Sequence, residues 1–324
     1  MPLALRIEEH GGPEAIRATD VAVPAPGPGE VRLRHTAVGV NFIDIYHRSG
    51  LYPLDLPSGL GLEAAGEIVA VGEDVTDLRT GDRVAYAGGP PGAYAEERLY
   101  PADRLVRLPD DIPDEAAAAL MLKGMTAWYL LCRTFPVAAG HTLLVHAAAG
   151  GVGSLLVPWA KHLGATVIGT AGGETKCERA RSLGCDHVID YRERDVPEAV
   201  AGITGGRGVD VVYDSVGHDT FRGSLDCLRR RGMLVCFGNA SGAPPAFEPN
   251  ELAAKGSLFL TRPTLFHYIE DRTELETAAA AVFDLVRAGV IEPGVNQRYA
   301  LKDAADAHRD LAARRSVGSS VLVP

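Results

Sequence analysis

Little in this sequence would attach it to a membrane, a nucleic acid or a disulfide frame. No apolar run among its 324 residues approaches the ~20 needed to cross a bilayer. Basic side chains are in deficit, 32 against 42 acidic ones, for a formal net charge of −10. That balance argues against a nucleic-acid groove, because phosphate binding relies on Lys and Arg. The five cysteines, Cys132, Cys177, Cys185, Cys227 and Cys236, are odd in number and contain no C-x-x-C pair. They read as reduced thiols of a cytoplasmic protein rather than a disulfide frame or zinc knuckle. The first residues, MPLALRIEEHGGPE, lack the basic-then-apolar pattern of a secretory signal. With 46% hydrophobic and 23% charged residues, the composition is that of an ordinary globular chain, which excludes disordered and collagen-like classes. At ~150 residues per domain, the length allows about two domains.

The pattern changes near residue 112. Before it, short β-type runs (Val31–Val38, Ala64–Val71, Gly81–Tyr86, Tyr94–Tyr100) are broken by Gly/Pro-rich segments such as PAPGPGE at 24–30 and GGPPG at 88–92. Arg32, Arg34 and Thr36 alternate with Val31, Leu33 and His35, the period of a half-buried strand. A partly open β-barrel or sandwich is expected there. Pro113, Asp114 and Glu115 then open a helix, since proline and acids suit the unpaired amides of a first turn. Beyond it, strands at 142–146, 166–170, 187–189, 209–214, 233–238 and 257–261 alternate with helices near 152–163, 174–183, 195–203, 218–230 and 250. Such alternation predicts a parallel sheet covered on both faces. A long helix at about 270–288, a shorter one near 303–313 and a strand at 320–323 close the chain. The basic cluster Arg229–Arg231 is expected to favour the C-terminal pole of the helix at 218–230.

The strand at 142–146 runs into Ala147-Ala148-Ala149-Gly150-Gly151-Val152-Gly153 and a helical pattern. This is the strand–turn–helix signature of a dinucleotide site. Ala148 holds the first glycine position, Gly150 lets backbone approach a pyrophosphate, and Gly153 permits close helix–strand packing. The amides of the helix start would meet the negative charge. An NAD site expects an acid at the tip of the next strand, yet that strand ends Ala171-Gly172-Gly173, with Lys176 and Arg179 just beyond. Small residues followed by cations admit a 2′-phosphate, so NADPH is the expected cofactor. Glu174 carries two readings, a helix first-turn charge or a ribose ligand.

Several segments together are more specific than the glycine turn. Asn41-Phe-Ile-Asp-Ile-Tyr46-His-Arg-Ser-Gly-Leu-Tyr52-Pro53, Gly61–Gly66, HAAAGGVG, Tyr213–Gly217, Phe237-Gly238-Asn239 and Gly318–Pro324 resemble the zinc-free quinone oxidoreductases of the medium-chain dehydrogenase/reductase superfamily, the zeta-crystallin-like enzymes. The resemblance runs nearly end to end. It implies an α/β plus β architecture: a GroES-like β domain formed from both chain ends (1–118 and 263–324) and a central Rossmann dinucleotide-binding domain (119–262). It also implies a homodimer. Zinc-containing relatives would carry a cysteine and a histidine where this chain has Asn41 and Leu62, neither a normal zinc ligand. Residues 80–115 contain no cysteine, so no metal is expected. Glu63 is expected to serve nearby backbone or an arginine.

An acceptor without zinc must stabilise its own reduced oxygen, which a quinone does by delocalising charge over its ring. Positioning and exclusion of water then carry the catalysis. The expected catalytic residues are Asn41, Asp44, Tyr46 and Tyr52. Asn41 would donate to the nicotinamide ribose or the acceptor oxygen, Tyr46 and Tyr52 would stack on a flat substrate or donate a proton, and Asp44 would orient a neighbour. By resemblance, Asn41, Lys123, Thr126, Gly150, Gly151, Val152, Gly172, Gly173, Lys176, Tyr191, Ser215, Phe237, Gly238, Asn239 and Arg314 would bind the cofactor. The expected reaction is NADPH-dependent reduction of a quinone, to semiquinone or hydroquinone. Two alternatives stand beside it: reduction of activated C=C bonds in enones, alkenals or enoyl thioesters, and an RNA-binding or structural, crystallin-like role.

Overall fold

The alternation at residues 31–37 is realised in the strand Glu30–Val40, where Val31, Leu33, His35 and Ala37 are buried while Arg34 and Thr36 face solvent. The computed structural model describes all 324 residues and divides into two units. One comprises Met1–Met125, Ile269–Phe283 and Pro293–Pro324; the other comprises Thr126–Tyr268 and Asp284–Glu292.

In chain order the first unit begins with β1 (Leu3–Ile7), β2 (Arg17–Asp20), β3 (Glu30–Val40), α1 (Phe42–Ser49), β4 (Ser58–Gly59), β5 (Glu63–Val71), β6 (Arg83–Ala87), β7 (Glu97–Pro101) and β8 (Val106–Arg107). Helix α2 (Asp114–Tyr129) follows, and the chain changes unit within it. The second unit then runs β9 (Thr142–Val145), α3 (Gly153–His162), β10 (Thr166–Ala171), α4 (Glu174–Ser182), β11 (His187–Asp190), α5 (Val196–Thr204), β12 (Val209–Asp214), α6 (Phe221–Asp226), β13 (Leu228–Cys236), α7 (Asn250–Ala254), β14 (Phe259–Thr261) and α8 (Leu265–Tyr268). The chain closes with α9 (Arg272–Arg287), β15 (Val295–Ala300), α10 (Ala304–Ala312) and β16 (Ser319–Val323).

The first unit is a β fold made from both chain ends. Its larger sheet has the order β15-β16-β3-β5-β6-β8, with β7 also on β3; β2-β1-β4 form a second sheet. The closing strand β16 lies antiparallel to β3, Val321 opposite Gly39. Leu5, Ile7, Val31, Leu33, Ile68, Tyr94 and Leu322 share its core. The second unit is a six-stranded sheet in the order β11-β10-β9-β12-β13-β14, parallel throughout. Numbered from β9, this is the doubly wound order 3-2-1-4-5-6, whose reversal between β9 and β12 opens a crevice at the strand C-termini. Helix α5 illustrates how its helices are bounded: Asp195 accepts from the Glu198 amide at 2.9 Å, and Gly205 closes the other end in the left-handed conformation.

One element adds to the expected set and one expectation is corrected. Residues 42–49 form a helix, α1, started by the Asn41–Asp44 capping box and ended by Gly50 at φ 80°. The helix expected over 218–230 stops at Asp226, so Arg229–Arg231 belong to β13 and not to a helix end. The carboxylate of Asp210 on the adjacent strand holds Arg229 at 2.5 Å, at the irregularity between the Val209–Leu228 and Val211–Met233 pairs. All five cysteines are free thiols, four of them buried.

Candidate functional site

In the parallel-sheet unit the crevice is written mostly in backbone. After β9 the chain turns at Ala147, in the left-handed region at φ 51°, and enters α3 through Gly150, Gly151, Val152 and Gly153. A Cβ on Gly153 would lie 2.5 Å from the carbonyl oxygens of Ala147 and Ala148, so only glycine lets α3 start this close to the turn. At the end of β10 a Cβ on Gly172 would fall 2.4 Å from the Tyr191 hydroxyl, and one on Gly173 3.0 Å from the Arg192 guanidinium. Gly172, Gly173, Tyr191 and Arg192 therefore meet at one place, with Lys176 on the first turn of α4. Arg192 was not among the expected residues; its signal was its position beside Tyr191.

An acid does stand nearby, but it is engaged. Asp190 accepts from the Gly173 and Arg192 amides, both at 3.0 Å, and these bonds hold its carboxyl below the usual range. Glu174 pairs with Arg181 at 2.8 Å along α4, both side chains largely exposed. At the ends of β12 and β13, a Cβ on Gly238 would lie 2.5 Å from the Ser215 carbonyl, and the Ala240 amide donates to that oxygen at 3.2 Å. Ser215, Phe237, Gly238 and Asn239 thus form adjoining turns.

Beneath this crevice runs a buried polar chain. Asp214 accepts from the Val216 and Gly217 amides at 2.8 and 3.0 Å and from the Ser224 hydroxyl at 2.8 Å. Because that hydroxyl donates to Asp214, it accepts from Nε2–H of His146 at 3.0 Å, and Nδ1 then accepts from Thr170 at 3.0 Å. Burial lowers the His146 pKa, consistent with this neutral tautomer.

In the β unit the expected residues gather around α1. Asn41 follows β3; its side-chain amide donates to Glu63 Oε2 at 2.8 Å and its backbone amide to Asp44 Oδ2 at 2.8 Å. Glu63, fully buried, also accepts from the Leu122 amide at 2.7 Å and faces the Lys123 ammonium at 3.5 Å. The Leu122 amide is the expected backbone partner, and the cation beside it is a lysine rather than an arginine. A Cβ on Gly39 would lie 2.3 Å from the Glu63 carboxylate, so that glycine makes room for it. Burial raises the Glu63 pKa against the opposing pull of Lys123, and burial raises Asp44 to about 7. Tyr46 and Tyr52 form a tilted ring pair with centroids 4.9 Å apart, and Phe42 lies 6.1 Å from Tyr46. Arg314 is exposed after α10 and takes a left-handed backbone at φ 58°. Thr126 is buried in α2.

Residues 27–110 match the alcohol dehydrogenase GroES-like domain, and residues 151–280 match the zinc-binding dehydrogenase domain. Similarity extends over whole chains. A quinone oxidoreductase of Pseudomonas aeruginosa is 50% identical, with 100% of each chain covered. A 2-haloacrylate reductase of Burkholderia sp is 50% identical over 100% of this chain and 99% of that one. The solved Escherichia coli quinone oxidoreductase complexed with NADPH superposes with a TM-score of 0.98 at 47% identity, covering 99% of this chain and 100% of that one. A GroES-like domain joined to a doubly wound dinucleotide fold defines a dehydrogenase/reductase. The chain belongs to the medium-chain dehydrogenase/reductase superfamily, in its quinone oxidoreductase branch. The zinc in the name of the second domain does not fit this donor set: no three His, Cys, Asp or Glu side chains gather as a ligand group, and Asn41 and Leu62 stand in the two expected ligand places.

Proposed function

We propose that this protein reduces quinones with NADPH, without a metal ion. The observation that carries the reading is the end-to-end match, at about half identity, to quinone oxidoreductases, one of them solved with NADPH. The parallel-sheet crevice fits the cofactor. Gly150, Gly151 and Val152 offer backbone to the pyrophosphate. Gly172, Gly173, Lys176 and Tyr191 take the 2′-phosphate end, and Ser215, Phe237, Gly238 and Asn239 line the remainder. Asn41, Lys123, Thr126 and Arg314 complete the cofactor set. When bound, NADPH supplies the reducing equivalents. Asn41 donates a hydrogen bond, the Tyr46–Tyr52 pair offers a flat aromatic face to a planar acceptor, and Asp44 holds Asn41.

The test is steady-state oxidation of NADPH and NADH with a panel of quinones and enones, with and without a chelator. Quinone turnover with NADPH, undiminished by chelation, is the expected result; loss on chelation or a strong NADH preference overturns the reading. The 2-haloacrylate reductase among the relatives favours a second reaction, reduction of an activated C=C bond, which needs a proton at carbon. Tyr52→Phe separates the two, lowering enone turnover while sparing quinone turnover if Tyr52 is the proton donor. For the RNA-binding alternative, the ion pair of Arg229 with Asp210 leaves Arg230 and Arg231 as the exposed members of the basic cluster. We further propose a homodimer working in the cytoplasm, where its free thiols stay reduced. The edge strand β14, with Phe259 57% exposed, is the surface to probe by sedimentation.

A further inference from the structure

A second polar chain in the β unit has no part in the reading above. Arg48 Nη1 lies 3.0 Å from His308 Nδ1, His308 Nε2 lies 2.9 Å from the Tyr94 hydroxyl, and that hydroxyl donates to Asp44 Oδ2 at 2.9 Å. All four residues are buried. A guanidinium only donates, so Nδ1 of His308 must accept. The single ring proton is then on Nε2 and points at Tyr94, which leaves the tyrosine O–H for Asp44. The direction of every bond is fixed by the arginine, which the Gly11 carbonyl anchors at 3.1 Å.

The chain delivers its last hydrogen bond to an oxygen already in use. Oδ2 of Asp44 accepts from both Tyr94 and the Asn41 amide, whereas Oδ1 is buried with no hydrogen-bond partner. An ionised carboxylate seeks donors on both oxygens; a neutral acid accepts on its carbonyl oxygen and carries hydrogen on the other. The charges facing Asp44 divide, Lys123 favouring its ionisation and Glu63 opposing it, so burial is what favours the neutral acid. Glu63 on β5 is a second buried carboxylate, Lys123 on α2 is the ammonium the two share, and Arg48 lies on Asp44's own helix. Tyr94, before β7, and His308 on α10 face it as neutral groups.

We propose that Asp44 is held as the neutral acid with its proton on Oδ1, and that Tyr94 and His308 are positioning residues which, through Asp44, fix the Asn41 end of α1. This rests on the reading that Asn41 serves the reaction. Ionisation of Asp44 would leave two buried carboxylates beside one ammonium and loosen the Asn41 amide from its frame.

The test uses the NADPH-loaded enzyme. The infrared difference between wild type and Asp44→Asn, below neutral pH, should contain the carbonyl stretch of a protonated carboxylic acid. That band should fade as pH rises, with the same midpoint as the loss of quinone kcat/KM. Tyr94→Phe removes a donor that favours the anion, so it should move both midpoints upward by about one unit, a tenfold gain in proton affinity. Absence of the acid band, or a Tyr94→Phe variant that loses turnover with its midpoint unmoved, overturns the proposal. Asn41→Ala tests the underlying reading separately. Unchanged quinone kinetics in that variant, with the acid band intact, would remove Asn41 from the reaction and leave the protonation state of Asp44 standing.

Discussion

The chain Thr170–His146–Ser224–Asp214 under the glycine crevice and the chain Arg48–His308–Tyr94–Asp44 in the β unit each link a histidine through a hydroxyl to an aspartate at comparable burial. They end differently. The first finishes on a carboxylate whose oxygens take two backbone amides, a threonine and a serine. The second finishes on a carboxylate with one oxygen doubly engaged and the other bare. A closed network resists change in protonation and braces the strand ends. An open one stores a proton, and burial places the Asp44 pKa at about 7, inside the working range.

The largest effect should come from removing the ammonium that the open cluster depends on. Lys123→Met leaves Glu63 buried without a cation, and breaking such a pair costs about 3–5 kcal/mol. Urea denaturation should register that loss, and adding Glu63→Gln should recover most of it, since the uncompensated charge would be gone. Full loss in both variants would mean that packing, not charge, is responsible.

Next comes the dependence of stability on pH. Burial raises the folded pKa of Asp44 to about 7 from the ordinary 3.8, so its contribution is present below 3.8 and is lost as pH rises to about 7. The slope is up to roughly 1.4 kcal/mol per pH unit across that window. His35 and His308 oppose it. Burial lowers both from 6.5 to about 3, so their contribution is present above 6.5 and lost as pH falls toward 3. Asp44→Asn removes one side of this balance, and denaturation midpoints of the variant should rise with pH more steeply than those of wild type. Parallel curves would sink the assignment.

The closed network should behave otherwise. Ser224→Ala strands His146 Nε2–H and removes one of the two donors to Asp214 Oδ2, the other being Thr220, costing about 1–3 kcal/mol at every pH between 5 and 8. A cost that varied with pH in this range would blur the distinction between the two chains.

These two regions also differ in how far the sequence exposes them. The strand–turn–helix at residues 142–162 is local: hydrophobic run, glycines and helix follow one another, and spacing alone marks the turn. The alternating strands of the parallel sheet were readable for the same reason. The α6–β13 boundary was not, because Arg229 obeys a carboxylate on a neighbouring strand rather than its own segment. The β-unit cluster draws on positions 41–48, 63, 94, 122–123 and 308, which only the folded chain brings together. Asn41, Asp44 and Lys123 came from resemblance; Tyr94 and His308 gave no local signal at all. Their roles depend on which nitrogen or oxygen faces which, and residue order does not encode that.

The smallest effect is expected at Glu174, and it tests whether the glycine crevice reads its cofactor through backbone space or through this acid. Glu174 and Arg181 are 71% and 54% exposed as side chains, so solvent screening leaves their pairing little weight in stability. Glu174→Ala should leave thermal stability nearly unchanged and shift the NADPH-to-NADH ratio of kcat/KM by less than about twofold, a few tenths of a kcal/mol. A ribose ligand would behave differently: its removal would weaken NADH selectively, because only the unphosphorylated ribose offers the 2′-hydroxyl to a carboxylate. A marked rise in NADPH preference in this variant would therefore return Glu174 to the site. It would also make discrimination depend on repulsion of the 2′-phosphate by the acid as well as on the room left by Gly172 and Gly173.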